Sequence, residues 1–498
     1  MKAGLIVLFS ILTLVAAAQV DGTKSRLIIL ADMGNEPDEE QQMMHMLMCS
    51  NEFDLEGLIA VTGKYLNPSH NQPYKQVVHP ELFMKLIEGY EKVHPNLLKH
   101  NPDFPNPAWL RSIVASGQPG YGINDTGQGK SSEGSNLIIR SMEKDDARPI
   151  YVVVNAGSNT LAQALIDYEK KHGKDKLNEI VAKLRVFENG AQDNSGAWIC
   201  NHYPGIHWIR SNYQTYCYGG PMWEGAVDGT GNNADLGPHT WQPYEYSALG
   251  QHHWALEHII TNHGAFGLCY PIRAFGNGKL AFLEGGGTIP WLGLVSKGLT
   301  DINSPWWGGW SGRFSKEKVK NDWSRHESVR VDEVKCDPFY TYTEGVDKWT
   351  NPEDGTQYES NYIPVWRWRR AIFNNFHCRM DWCIEPYEKA NHHPKAVLNG
   401  DQSDKILFIN AKPGDRITLD ASGTKDPDGD QVDFLWWNYR ESGTYEGAPK
   451  IGNPAGMTTV VEIPSDAAGK EIHIILEVKD QSKIAPLYDY RRLVVTIK

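Results

Sequence analysis

The chain has 498 residues, of which 40% are hydrophobic, 11% aromatic and 22% charged. That length exceeds one ordinary domain, and the composition supplies apolar material for at least two cores, which excludes a wholly disordered or fibrous chain. Lys+Arg 49 against Asp+Glu 61 gives a formal net charge of −12 with no basic run of useful length, so no nucleic-acid partner is expected.

Lys2, an apolar run over 5–15 and Ala16-Ala17-Ala18-Gln19 have the three parts of a secretory leader. Residues 1–18 are therefore predicted to be a signal peptide, and the mature chain to be secreted, extracellular or periplasmic. No later stretch is long and apolar enough to span a bilayer, so no membrane partner is expected. Export permits disulfides, and an odd total of 7 cysteines leaves at least one unpaired. Cys200 with Cys217, and Cys378 with Cys383, are the candidate pairs.

The apolar run 27–31 predicts a buried strand, followed by a Gly-Asn-Glu-Pro turn and a Met-rich helix over 38–49. Strands are predicted at 58–61, 150–154 and 184–187, with helices near 80–91, 135–143 and 160–170. This alternation predicts an α/β domain, a mostly parallel sheet with helices on both faces. Such sheets bind ligands at the carboxyl ends of their strands, where Asp32, Asn155 and Asp193 fall. Residues 194–362 are rich in Gly, Trp, Tyr and His, with a helix predicted around 255–262; a closing helix is predicted over 367–387 and a linker at 391–394. Short β-like runs at 417–420, 432–437, 458–463 and 471–478, divided by Gly, Pro and Asp turns, predict a β-sandwich of about 100 residues. The domains are accordingly placed at 24–390 and 391–498. Asp426-Pro427-Asp428-Gly429-Asp430 reads as a hairpin turn in preference to a calcium loop.

The segment Asp32-Met33-Gly34-Asn35-Glu36-Pro37-Asp38-Glu39-Glu40 carries the most chemistry. Acidic side chains in a first helical turn meet the positive end of the helix dipole, which accounts for Asp38 to Glu40 without any ligand. Asp32 after an apolar strand, beside a turn at Gly34, has no such account. Strand-end and helix-start oxygens converging from different segments also suit a hard divalent cation. No Gly-x-Ser-x-Gly elbow, phosphate-cradling glycine loop or paired Cys-x-x-Cys set occurs.

This acidic segment, followed by Asn51-Glu52-Phe53-Asp54-Leu55-Glu56-Gly57-Leu58-Ile59-Ala60, resembles the secreted cellulose-binding proteins with a nucleoside-hydrolase-like N-terminal domain and an Ig-like C-terminal domain. Asn155-Ala156-Gly157-Ser158-Asn159-Thr160, Asn262-His263-Gly264-Ala265-Phe266-Gly267, Trp307-Gly308-Gly309-Trp310 and Trp366-Arg367-Trp368-Arg369-Arg370 carry the same resemblance. It implies one Ca2+ ion held by Asp32, Asp38, Glu39 (where Asp is usual) and the turn near Asn159. It also implies Asp38 as the base activating a water, and His263 as the acid at the leaving group. Asn155, Asp193 and Asn194 are candidate sugar ligands, and Trp307 and Trp310 candidate stacking platforms, beside Trp306, Trp436 and Trp437. Against the family's late Glu-Gly-Asp-Thr-Pro, this chain has Glu284-Gly285-Gly286-Gly287-Thr288-Ile289-Pro290, so the late acidic ligand is missing. Two functions follow: a glycosyl-bond hydrolase acting on N-glycosidic bonds with calcium, or a non-catalytic cellulose- or glycan-binding protein that kept the fold. The expected partner is a carbohydrate or a nucleoside-like small molecule.

Overall fold

The computed structural model describes residues 24–211, 214, 254–274, 280–281, 286–320, 339–350, 355 and 357–498. The leader 1–18, Cys217, His252, His253 and Glu284 lie outside the described residues.

The N-terminal domain is built on a six-stranded sheet of order β3-β2-β1-β4-β5-β6, comprising Ser25–Ala31 (β1), Phe53–Ala60 (β2), Val114–Ser116 (β3), Ile150–Val154 (β4), Leu184–Asn189 (β5) and His207–Ser211 (β6). All neighbouring strands pair in parallel. Side chains alternate across a strand, and both faces of this sheet are buried. Leu27, Ile29, Tyr151 and Val153 therefore join one apolar core, while Ile28, Leu30, Val152 and Val154 join the other. Helices Pro37–Met48 (α1), Pro80–His100 and Arg369–Asp381 cover the first face, and Glu133–Met142, Ser158–His172 and Lys174–Lys183 the second.

Strands β3 and β6 escaped the sequence pattern. β3 is a three-residue edge, and β6, His-Trp-Ile-Arg-Ser, conceals its burial behind polar residues. Arg210 in β6 is buried against Glu188 at 3.5 Å. The closing helix is shorter than the sequence suggests, Arg369–Asp381 after a separate turn Ile363–Trp366. Cys378 and Cys383 do not pair. Cys378 Sγ donates to the Ala485 carbonyl at 3.6 Å and Cys383 Sγ lies 3.5 Å from Met48 Sδ. Among the described residues no helix is long and apolar enough to cross a membrane.

The C-terminal β-sandwich sets a four-stranded sheet, in the order Leu407–Ala411, Tyr488–Ile497, Glu471–Asp480 and Val432–Asn438, against a three-stranded one, Arg416–Asp420, Thr458–Glu462 and Lys450–Ile451. Trp436, 1% exposed, fills the core between them. The Asp426 segment is a turn between the two sheets of the sandwich, not a hairpin, since Arg416–Asp420 and Val432–Asn438 do not pair: Asp426 Oδ1 accepts from the backbone N–H of Asp428 at 2.9 Å and of Asp430 at 3.0 Å.

The domains meet through shared core rather than through a loose tether. Tyr439, Ile475 and Tyr490 of the sandwich belong to the first core of the N-terminal domain. Arg492, fully buried, donates from Nε to Leu299 O at 2.7 Å and from Nη2 to Gly308 O at 2.9 Å. Tyr439 donates to Asp347 Oδ2 at 2.6 Å, and Gly308 has φ 77, so a Cβ there would fall 2.6 Å from the Tyr439 hydroxyl. Removing the guanidinium strands two buried carbonyls, so Arg492→Met should cost about 3 kcal/mol. Urea unfolding followed by tryptophan fluorescence should show an earlier transition that splits in two as the sandwich releases; an unchanged midpoint would refute the latch.

Candidate functional site

The strand order reverses at β1, which lies between β2 and β4, and this switch point opens a crevice at the carboxyl ends of β1 and β4. Asp32 follows β1 and Asn155 follows β4, so both stand in it. The chain turns at Gly34, φ 91, where a Cβ would meet His79 Cδ2 at 2.6 Å. Asn35 N–H donates to Asp32 O at 2.9 Å, and Pro37 starts α1 with Asp38, Glu39 and Glu40 in its first turn. One turn of helix thereby swings Glu39 inward, 4% exposed, beside Asp32 at 1%.

Two carboxyls share this dry pocket. Burial, reinforced by the Glu36 charge, pushes Asp32 up to about 6. Burial, then the charges of Asp32 and Asp38, pushes Glu39 well above the usual carboxylate range. Neither Asp32 oxygen has a hydrogen-bond partner among the described groups. Two such acids cannot both ionise cheaply, so the pair retains a proton near neutrality. Glu39 is steadied by amides: Gln42 Nε2 donates to its Oε2, and Asn155 Nδ2 reaches Glu39 Oε2 at 3.4 Å and Gln42 Oε1 at 2.9 Å.

Those amides fill the place of the missing late acid. A Cβ built on Gly287 would lie 2.4 Å from Gln42 Oε1 and 2.6 Å from Asn155 Nδ2. A side chain at 287 is thus excluded unless both amides move. Gln192 adds a further neutral oxygen: a Cβ at Gly63 would lie 3.3 Å from Asp32 Oδ2 and 3.6 Å from Gln192 Oε1, which is itself unpartnered. Gln42 and Gln192 were not singled out from sequence. The spacing of Gln42, three residues after Glu39 on one helix face, was the available signal. Calcium needs several converging, mostly charged oxygens. Among the described residues no group of three His, Cys, Asp or Glu could hold a metal ion, so the described residues by themselves do not fit a nucleoside-hydrolase calcium site.

The structure brings Asp32, Asp38, Glu39 and Asn155 together and sends the other candidates elsewhere. Asp193 is consumed by scaffolding: Oδ1 accepts from Ser158 Oγ at 2.9 Å and Ser195 N at 2.6 Å, and Oδ2 from Gly122 N at 3.1 Å. Asn194 Oδ1 likewise accepts from Ile123 N at 2.9 Å. Both pin the 118–126 loop and are not open to sugar hydroxyls. Asn159 Nδ2 donates to Gly120 O at 2.9 Å, anchoring that same loop. His263 is corrected as an acid: its Nε2 pairs with Asp381 at 3.0 Å, and Asp381 ends a helix whose neighbouring Cys383 touches Met48. Met48 closes α1, whose 12 residues span about 18 Å, so His263 sits at the opposite end of the sheet from Asp32. Trp307 and Trp310 are also corrected. They are 8% and 2% exposed, and pack on His473 at 5.1 Å and Tyr490 at 6.3 Å. His45 is core, stacked on Phe376 at 4.1 Å.

A switch-point crevice with an acidic strand end and a first-turn acid cluster, on a parallel sheet carrying a β-sandwich, defines a nucleoside-hydrolase-like protein with an appended domain. Residues 26–314 match the family described as "Cellulose-binding Sde182, nucleoside hydrolase-like domain", and residues 416–497 match "Cellulose-binding protein Sde0182, C-terminal domain". The chain belongs to this family. It is similar to a solved nucleoside hydrolase-related hypothetical protein from Saccharophagus degradans associated with carbohydrate metabolism, at 33% identity over 95% of this chain and 100% of that one, TM-score 0.77. The effector protein XOO4466 aligns at 10% identity over 73% of this chain and 95% of its own, with a TM-score of 0.34 that supports no structural comparison. No curated protein matches the chain.

The folded pair holds a proton that an unfolded chain releases above about pH 4. The Asp32 contribution to stability is therefore full below about pH 4 and lost as pH rises through about 6, and that of Glu39, whose carboxyl burial holds well above the usual range, is lost at higher pH. Glu39→Gln keeps the acceptor for Gln42 and offers Asp32 a donor. It should stabilise the protein by roughly 1–3 kcal/mol at pH 8 and far less at pH 4.5, as read by denaturation at both pH values; equal effects at both would contradict the shared proton. Calcium or a chelator should leave Tm unchanged, because the described residues offer no ligand set for the ion. A calcium-dependent rise in Tm that Asp32→Asn abolishes would show a site after all.

Proposed function

We propose that this protein binds glycan, with cellulose as the ligand class, on a nucleoside-hydrolase-like scaffold whose pocket has exchanged charge for neutral amides. The observation that carries the reading is the closure of the Gly287 position by Gln42 and Asn155, which puts neutral amides where a late acid would stand beside Asp32 and Glu39. The cellulose-binding description of the family supports the ligand class. So does the association of the Saccharophagus protein with carbohydrate metabolism. The crevice rim carries exposed aromatic rings: Tyr74, 52% exposed and stacked at 3.9 Å on His79 beside Gly34, and Tyr65, 44% exposed. Aromatic faces with a few fixed polar groups are the usual lining of small-ligand sites. A chain exported by the 1–18 leader would meet such a polymer outside the cell.

A hydrolytic reading of the same pocket is favoured by one feature: a buried carboxyl near 6, with no donor bound to it, suits general-base work. Asp38, at the helix start, would be its neighbour. Purified protein offered microcrystalline cellulose, a nucleoside panel and aryl glycosides separates the two. Retention on cellulose without turnover is expected of the parent, of Asp32→Asn and of Asp38→Asn. Turnover that either variant abolishes would replace binding with catalysis.

A further inference from the structure

In the sandwich, the strands Val432–Asn438, Glu471–Asp480 and Tyr488–Ile497 lie side by side. Their register sets Leu435 beside Glu477 and Glu477 beside Tyr490, and it sets Trp437 beside Ile475 and Ile475 beside Arg492. Alternation puts these six on one face, with Trp436 on the other. Part of that face is closed by the N-terminal domain, since Ile475 and Tyr490 enter its core and Arg492 forms the latch. The remainder stays open. Leu435 is 45% exposed, and a cavity of about 540 Å³ lies between the domains, walled by Trp349, Arg367, Leu435, Trp437, Glu477 and Lys479 among others.

The walls combine rigid rings with hydroxyl-binding groups. The Arg367 guanidinium sits 4.5 Å from the Trp437 ring centroid, and Trp368 packs on Trp437 at 5.8 Å. Trp349 stands edge-on to Trp366 at 4.9 Å. Both Trp349 and Trp437 remain half-buried, so ring surface is left for a ligand. The charged groups of the cleft are paired or opposed: Lys479 pairs with Asp433 at 3.4 Å and Arg367 with Asp347 at 3.6 Å, and Arg370 and Glu477 add one base and one acid to the wall. A phosphate or acidic sugar would call for a net positive wall. Flat apolar rings interleaved with balanced donors and acceptors suit an uncharged polyol, and the volume falls within the range of small-ligand sites.

We infer that this interdomain cleft is a binding subsite for a neutral oligosaccharide, with Trp437 and Trp349 as stacking platforms and Arg367, Glu477 and Lys479 as hydroxyl partners. The inference rests on the glycan-binding reading and adds a subsite remote from the strand ends. Its test is titration calorimetry of the full chain with cellohexaose, beside retention on cellulose, with Tm checking that each variant is folded. Trp437→Ala should weaken cellohexaose binding about tenfold or more, and Glu477→Gln roughly threefold. Trp437→Leu, which keeps apolar bulk without an aromatic face, should weaken binding similarly, and it replaces the alanine variant should that one unfold. Tyr74→Ala, at the strand-end rim, should leave the cleft's contribution in place. Folded Trp437 and Glu477 variants that bind like the parent would overturn the cleft while leaving glycan binding at the strand ends intact. A parent that binds neither cellohexaose nor cellulose would overturn both.

Discussion

A parallel sheet cannot leave either face in water, and that constraint organises the molecule. Because β1 is covered on both sides, its residues divide alternately between two apolar cores. The only places where this strand can present polar chemistry are its ends. Strand order reverses beside it, so its carboxyl end becomes the crevice. Asp32 and Asn155 stand there as a consequence of topology, and α1 returns Glu39 to the same point through one glycine-dependent turn.

What the crevice can do depends on how its buried charge is balanced. Two carboxyls in a dry pocket require either a cation or a proton. The family's late acid would help to hold a cation, but this chain has glycine at that position and two amides in the volume above it. The amides satisfy Glu39 by hydrogen bonds and bring no charge, so among the described groups a proton is the balancing species. That balance is what the proposed glycan-binding reading rests on.

The sandwich is bound to the rest of the protein by the same physics. One face of its four-stranded sheet is too apolar to be left open, and the N-terminal domain covers most of it with Tyr439, Ile475 and Tyr490 in a common core. Arg492 is buried with it because two carbonyls of the neighbouring domain accept its protons. Incomplete coverage leaves the aromatic cleft, so the same docking surface that joins the domains also creates a second recessed surface.

The amino-acid sequence by itself determined the elements whose burial is uniform or periodic: β1, β4 and the sandwich strands Arg416–Asp420, Val432–Asn438, Thr458–Glu462 and Glu471–Asp480, while Tyr488–Ile497 escaped it. It also marked the acidic turn at Asp32, because a carboxylate after a buried strand has no local explanation. The partners lay beyond it. His263 stands in a motif yet faces Asp381 at the far end of the sheet. Trp307 and Trp310 are buried by a domain more than a hundred residues away. Asp193 and Asn194 are occupied by backbone N–H groups of a distant loop. Only the tertiary structure decided these assignments, because a side chain's chemistry is set by what packs against it, whereas its period along the chain reports only which face it occupies.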